Sequence, residues 1–311
     1  MKIIFMGTPE FAVPSLEAIV NAGHEVAAVV TNKDEPQGRG LKVAPPAVKI
    51  AADGLKLPVI QVSSLKDSVV VERLSAICPD VMVVVAFRIL PREVYSIPKR
   101  GTFNLHGSLL PKYRGAAPIN WAIINGESET GVTTFFLDDK VDTGKIILQR
   151  RIQIGENETA GELSYRLSVL GADAVAETLV RIENGRVDVM EQDSSLSTKA
   201  PKITKEDCLI DWSNPASYVH NFVRGFSPEP CAYTFLGSKM VKIFRTRLTR
   251  EAGSHQLGGV RVVAGKFLVS CEDEFLEILE LQLEGKKRLT SADFLRGARI
   301  ELDARFSQER K

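Results

Sequence analysis

The sequence predicts an α/β protein: a doubly wound, mostly parallel, Rossmann-like sheet followed by a smaller β-barrel domain of OB-like type. Three observations predict it. Apolar runs of strand length alternate with segments of helical spacing through residues 1–189. VMVVVAF (81–87) is apolar on both faces, as strands covered by helices on both sides are. Beyond residue 206, short strand-like runs recur at regular spacing between glycine turns, the pattern of a small barrel or sandwich.

The elements follow in order. KIIFMG (2–7) reads as a buried strand, VPSLEAIVNAGH (13–24) as a helix ending at Gly23, and EVAAVVTN (25–32) as the next strand. PPAVKIAADG is a helix, PVIQV a strand, VVVERLSAI a helix and 81–87 a central strand. GTFNLH (101–106), TGVTTFFLDD (130–139) and KIILQRRIQI continue the sheet, and 158–185 reads as one long helix, broken or not at Gly171. Apolar periodicity then stops, so 190–205 is expected to be an extended polar connection between domains 1–189 and 206–311. In the second domain NPASYVHNFVRGF reads as a helix and the rest as strands.

Composition bounds the function. Among 311 residues, 44% are hydrophobic and 25% charged, and the net charge is +1, so nothing pulls the whole molecule towards DNA or a membrane. A polyanion site would have to be a local patch. The opening MKIIFMGTPEF has no small-residue cleavage site, and no run approaches the roughly 18 apolar residues of a membrane span. The four cysteines lack CxxC spacing, which suits reduced thiols in a cytoplasm and argues against a zinc site.

Four segments carry candidate chemistry. MGTPEF follows the first strand where a dinucleotide fold places GxGxxG, but only Gly7 is present, which disfavours NAD or FAD; Phe11 is either core or site rim. The 31–46 connection is long and basic (Lys33, Arg39, Lys42) and is either a plain solvated loop or a flap over an anionic substrate, with Arg39 as its contact. In FNLHGSLLPKYRG (103–115), Asn104 and His106 lie two apart on a strand and so share a face at its carboxyl end. Asn can donate an amide N–H to a developing oxyanion, and His can move a proton or, charged, hold the same anion. In DDKVDTG (138–144), one nearby His makes a transition-metal site weak. Asp142, beside Thr143 and Gly144, is the carboxylate best placed to pair with His106 and order a water.

FNLHGSLLPKYRGAAPI with VDTG downstream resembles the formyltransferases that use 10-formyltetrahydrofolate, and MGTPEFAVPSL, QGRGLKV, PPAVK, DVMVVVAF, IDWSNPA and GKKRLTSADFLRG extend the resemblance over nearly the whole chain. The resemblance implies catalysis by Asn104, His106 and Asp142. It implies that Ser108, Leu109, Leu110, Pro111, Phe87, Ile89 and Asp138 bind 10-formyltetrahydrofolate without a metal. It also implies an acceptor, initiator methionyl-tRNA, met by Arg39, Phe11 and Lys42; the default expectation is a cytoplasmic monomer. The chain departs from the family pattern at Phe87–Arg88, where Tyr-Gly is common, and at SPEPCA (227–232). In the second domain, basic residues (Lys239, Lys242, Arg245, Arg247, Arg250, Lys286, Lys287, Arg288) alternate with apolar ones; the alternation suits either a solvated strand face or phosphate contacts to a tRNA stem.

Overall fold

The computed structural model describes residues 1–37, 42–254, 256–297 and 304–310. The chain divides into two compact units, one of residues 1–118, 130–152 and 164–200, the other of residues 119–129, 153–163 and 201–311.

The first unit is built on seven strands: β1 (Lys2–Gly7), β2 (Glu25–Asn32), β3 (Val59–Val62), β4 (Val81–Val85), β5 (Thr102–His106), β6 (Glu129–Phe136) and β7 (Ile146–Gln153). Their order is β7-β6-β5-β4-β1-β2-β3. The pairs β1–β2, β1–β4, β2–β3 and β4–β5 are parallel, and β5–β6 is antiparallel. The order reverses at β1, so a crevice opens where β1 and β4 end, the place where open α/β sheets bind ligands. Ile3, Phe5, Val83 and Phe103 are fully buried, as both-face apolar strands require. Strand β4 stops two residues earlier than the apolar run, because Ala86 turns to φ +46°. Likewise β6 ends at Phe136 rather than Asp139, where the polar loop takes over.

Helices α1 (Val13–Asn21), α2 (Ala47–Gly54) and α3 (Ser68–Ala76) connect the parallel strands. Gly23, at φ +78°, lets the chain leave α1 in the left-handed region and enter β2. Asp67 caps α3 by accepting from the Val69 N–H at 3.0 Å. After α4 (Pro118–Ile124) the long helix is α5 (Ala160–Glu183), and it runs unbroken through Gly171. That glycine serves close packing: a Cβ there would lie 2.5 Å from Cδ2 of Leu105 on β5. The β2–α2 connection holds an antiparallel hairpin of Glu35–Gln37 with Lys42–Ala44. Arg39 lies outside the described residues. Lys42 opens the second strand of the hairpin, and its side chain too is outside the described set.

The second unit holds an antiparallel sheet of β8 (Ala232–Leu236), β9 (Lys239–Ala252), β10 (Val260–Val263), β11 (Lys266–Ser270), β12 (Glu274–Leu283) and β13 (Phe306–Ser307), in the order β10-β11-β12-β9-β8-β13. Helices α6 (Ala216–Phe226) and α7 (Ser291–Gly297) cover it around a core of Trp212, Phe226, Phe267, Ile278 and Phe306. Register shifts along β9 at Ile243/Arg245, Arg245/Thr246 and Leu248/Ala252 supply the bulges that bend a small sheet towards a barrel. They also break the expected alternation of cations. Arg245 pairs with Glu162, Arg247 with Glu277, and Arg288 with Glu280 while covering the Phe244 ring, so part of the basic stripe is already neutralised by carboxylates.

Candidate active site

Strand β5 ends beside β4 at the carboxyl edge of the parallel strands. Phe103 and Leu105 point into the core, while Asn104 is half-buried and His106 is 6% exposed on the opposite face. His106 is hydrogen-bonded at one nitrogen and faces a carboxylate at the other. Its Nε2 donates to the Tyr113 carbonyl at 2.8 Å, and its Nδ1 faces Asp142 Oδ2 at 3.9 Å. That second separation is too long for a direct hydrogen bond, so the carboxylate acts on the ring as a nearby charge. The ring of Phe135 on β6 lies beside the imidazole and nearly perpendicular to it, with centroids 6.5 Å apart.

Asp142 sits at the tip of the β6–β7 loop with φ +56°, a left-handed conformation that needs support from its surroundings. The support is visible. The Gly115 N–H donates to Asp142 Oδ2 at 2.8 Å, and the Gln192 amide donates to the carbonyls of Asp142 and Gly144 at 3.0 and 2.8 Å. Arg114 in turn donates to Gln192 Oε1 through Nε and a terminal nitrogen, at 3.1 and 2.7 Å. Gly144 is required by close approach, since a Cβ there would lie 1.7 Å from the Phe136 carbonyl oxygen.

The SLLP segment folds back on itself. Thr133 on β6 donates to the Ser108 carbonyl at 2.7 Å and accepts from the Leu110 N–H at 3.1 Å; Gln149 on β7 donates to the Leu110 carbonyl at 2.8 Å. Ser108 is fully buried with its hydroxyl donating to the Lys112 carbonyl at 2.6 Å, so its side chain braces this turn. Leu110 is 3% exposed and packs with Phe135 and Ile146, so it too belongs to the core. Leu109 and Pro111 are half-buried.

Around the mouth, Phe87 is half-buried against the β4 core and Ile89 is 77% exposed, an apolar side chain offered to solvent just past β4. Arg88, the departure between them, donates to Asn32 Oδ1 at 2.7 Å and to the Ser63 carbonyl, bracing the ends of β2 and β3 rather than entering the pocket. Next to that brace, Lys49 and Gln61 bond the carboxyl of Asp34 and hold it below the usual carboxylate range. Asp138 accepts from Thr143 Oγ1 at 2.7 Å and from the Lys140 N–H at 3.0 Å, which closes the loop that carries Asp142. Asp139 accepts from the Tyr95 hydroxyl, and this bond raises the phenol above its ordinary range. Phe11 is half-buried in the turn Glu10–Ala12.

The structure therefore brings Asn104, His106, Asp142 and the 108–111 turn together in the first unit. Sequence reasoning missed Tyr113, Gly115, Thr133, Gln149, Gln192 and Thr198. Gln192 and Thr198 lie in the stretch expected to be a connection. That stretch is held to the first unit: Lys199–Ala200 pairs in parallel with Arg114–Gly115, and Met190 bridges to Ile146. A polar segment without periodicity carries no signal for such a role.

Comparison with known proteins places these features in context. The family described as formyl transferase matches residues 1–179, and its C-terminal domain matches residues 202–299. The chain is 47% identical to the methionyl-tRNA formyltransferase of Geobacter sulfurreducens over 310 residues, covering 99% of this chain and 97% of that one. It is 49% identical to that of Chlorobium phaeovibrioides over 312 residues, covering 98% of each. Among solved structures, an N-formyltransferase from Helicobacter canadensis, in complex with folinic acid and dTDP-3-aminofucose, superposes with a TM-score of 0.67 at 24% identity, covering 93% of this chain and all of that one. HypX from Aquifex aeolicus, in complex with tetrahydrofolic acid, superposes with a TM-score of 0.66 at 19% identity, over 98% of this chain and 50% of that one. At those identities the likeness is one of fold.

Proposed function

Because the chain belongs to the formyl transferase family, we propose as its reaction the transfer of a formyl group from 10-formyltetrahydrofolate to the free α-amine of initiator methionyl-tRNA. The products are N-formylmethionyl-tRNA and tetrahydrofolate. Full-length similarity to methionyl-tRNA formyltransferases supports the acceptor, and the observation that carries the chemistry is the Nδ1 edge of His106 turned towards Asp142 beside Asn104.

The residues account for each step. The deprotonated amine attacks the formyl carbon, a C–N bond forms, and the carbonyl electron pair moves onto oxygen. Asn104 donates its amide N–H to that oxyanion, and His106 donates through Nδ1 when charged, because Nε2 is committed to Tyr113. Asp142 stabilises the charged ring across 3.9 Å. The oxyanion then collapses, the bond from the formyl carbon to N10 breaks, and the nitrogen that leaves takes up the proton that the amine gives up. The His106–Asp142 pair relays that proton. Leu109, Pro111, Phe87 and Ile89 provide the apolar walls for the pterin, and the 138–144 loop closes over it. The resemblance assigns Arg39, Lys42 and Phe11 to the acceptor end, in a cytoplasmic enzyme acting as a monomer.

Purified protein mixed with 10-formyltetrahydrofolate and methionine-charged initiator tRNA tests the reading. Formylated product is expected, with Asn104→Ala lowering kcat/KM on the order of 100 to 1000 fold, the usual loss for one oxyanion donor. Formylation of an aminosugar nucleotide in place of the tRNA would overturn the acceptor assignment.

A further inference from the structure

We propose that residues 192–200 are a positioning strap for the catalytic pair and that Gln192 is its principal positioning residue. The inference rests on the catalytic reading of His106 and Asp142.

Residues 113–115 hold both members of the pair through their backbone. The Tyr113 carbonyl accepts from His106 Nε2, and the Gly115 N–H donates to Asp142 Oδ2. Two of these three residues are themselves in the left-handed region, Tyr113 at φ +59° and Gly115 at φ +127°, so the segment does not hold this shape by its own preference. The strap holds it. Thr198 Oγ1 accepts from the Tyr113 N–H at 2.8 Å, and the Thr198 carbonyl accepts from the Arg114 N–H at 2.9 Å. The Ala200 carbonyl accepts from the Ala117 N–H at 3.2 Å and passes so close to Gly115 that a Cβ there would lie 2.4 Å from it.

Gln192 joins the two halves of the site. Its amide nitrogen donates to Asp142 and Gly144 on one loop, and its Oε1 accepts from Arg114 on the other. One carboxamide thus uses donor and acceptor at once to set the distance between the residue that bears on His106 and the segment that orients it. Gln192 touches neither ring nor carboxylate, so it acts through Asp142. A displacement near 1 Å in such a site costs on the order of 100 fold in rate.

The test is a double-mutant cycle read in kcat and KM. Gln192→Leu keeps the volume and removes the hydrogen bonds; kcat is expected to fall about 10 to 100 fold, with KM for 10-formyltetrahydrofolate and for methionyl-tRNA within about twofold. In an Asp142→Asn background the same substitution is expected to have little further effect, since the group it positions is already impaired. Losses that multiply independently, or a Gln192→Leu enzyme with normal kcat beside a disabled Asp142→Asn enzyme, would overturn the strap and leave the catalytic reading standing. A fully active Asp142→Asn enzyme would instead remove the catalytic reading on which the strap depends. Thr198→Val, which removes only the hydroxyl that accepts from Tyr113, guards against a Gln192 variant that fails to fold; it is expected to lower kcat with KM unchanged, and an unaltered kcat counts against the strap.

Discussion

His106 Nε2 lies 2.8 Å from the carbonyl oxygen of Tyr113, and because a carbonyl can only accept, that nitrogen carries a proton. The other nitrogen, 3.9 Å from Asp142 Oδ2, is the one left free of the Tyr113 contact, and the proposed mechanism uses it. Nitrogen NMR of the selectively labelled protein, at a pH where the ring is neutral, is expected to show the Nε2–H tautomer. An Nδ1–H tautomer would mean that the Tyr113 contact is not formed in solution.

Gly144 faces a backbone oxygen rather than a yielding side chain. Its position 1.7 Å, Cβ to oxygen, from the Phe136 carbonyl leaves no room for Ala, and the neighbouring Phe136 N–H to Lys145 carbonyl bond (3.0 Å) ties the loop to the strand there. Gly144→Ala is expected to cost about 1–3 kcal/mol in denaturant unfolding and to lower kcat by shifting Asp142. Unchanged stability together with unchanged kcat would contradict the close approach.

Burial pushes the His220 imidazole below its ordinary value of 6.5. It is 4% exposed between Thr246 Oγ1 at 2.8 Å and the Glu156 carbonyl at 3.2 Å, with the Arg224 charge nearby adding to the same direction. The unfolded chain therefore takes up a proton that the folded one resists. The stability from a neutral His220 is complete above 6.5 and is lost as pH falls from 6.5 towards the lower folded value. Thermal midpoints measured at descending pH are expected to drop more steeply in the wild type than in His220→Gln. Parallel curves would remove His220 as the source.

The thiols divide sharply. Burial raises Cys208 to about 11 and Cys231 and Cys271 to about 12, whereas Cys78 is exposed. A thiolate-directed alkylating agent at neutral pH is expected to label Cys78 alone in the native protein and all four cysteines after unfolding. Native labelling of Cys208 would show that its core opens readily.

Asn104, His106 and Asp142 were legible as candidates because the signals that mark them are local. Asn104 and His106 share a face through strand alternation, and Asp142 is marked by the turn residues after it. Ser108 and Leu110 turn out to be buried in the turn, and nothing in a Ser-Leu-Leu-Pro run separates a residue whose side chain lines a pocket from one that braces the turn beneath it. Thr133 and Gln149, the residues that brace it, come from neighbouring strands. The cation stripe of β9 was readable as composition but not as surface, because bulges and the carboxylates of Glu162 and Glu277 intervene.

The sequence by itself determined the doubly wound sheet and the carboxyl-end position of Asn104 and His106, because periodicity acts over a few residues, and its motifs carried the resemblance to the family. Only the tertiary structure decided which His106 nitrogen faces Asp142, and that residues 192–200 lie against the 113–115 segment and the Asp142 loop. Those contacts join Arg114 to Gln192 and Tyr113 to Thr198 across some eighty residues of chain, |i−j| of 78 and 85, and hydrogen bonds at that separation are chosen by the packed fold and leave no periodic trace.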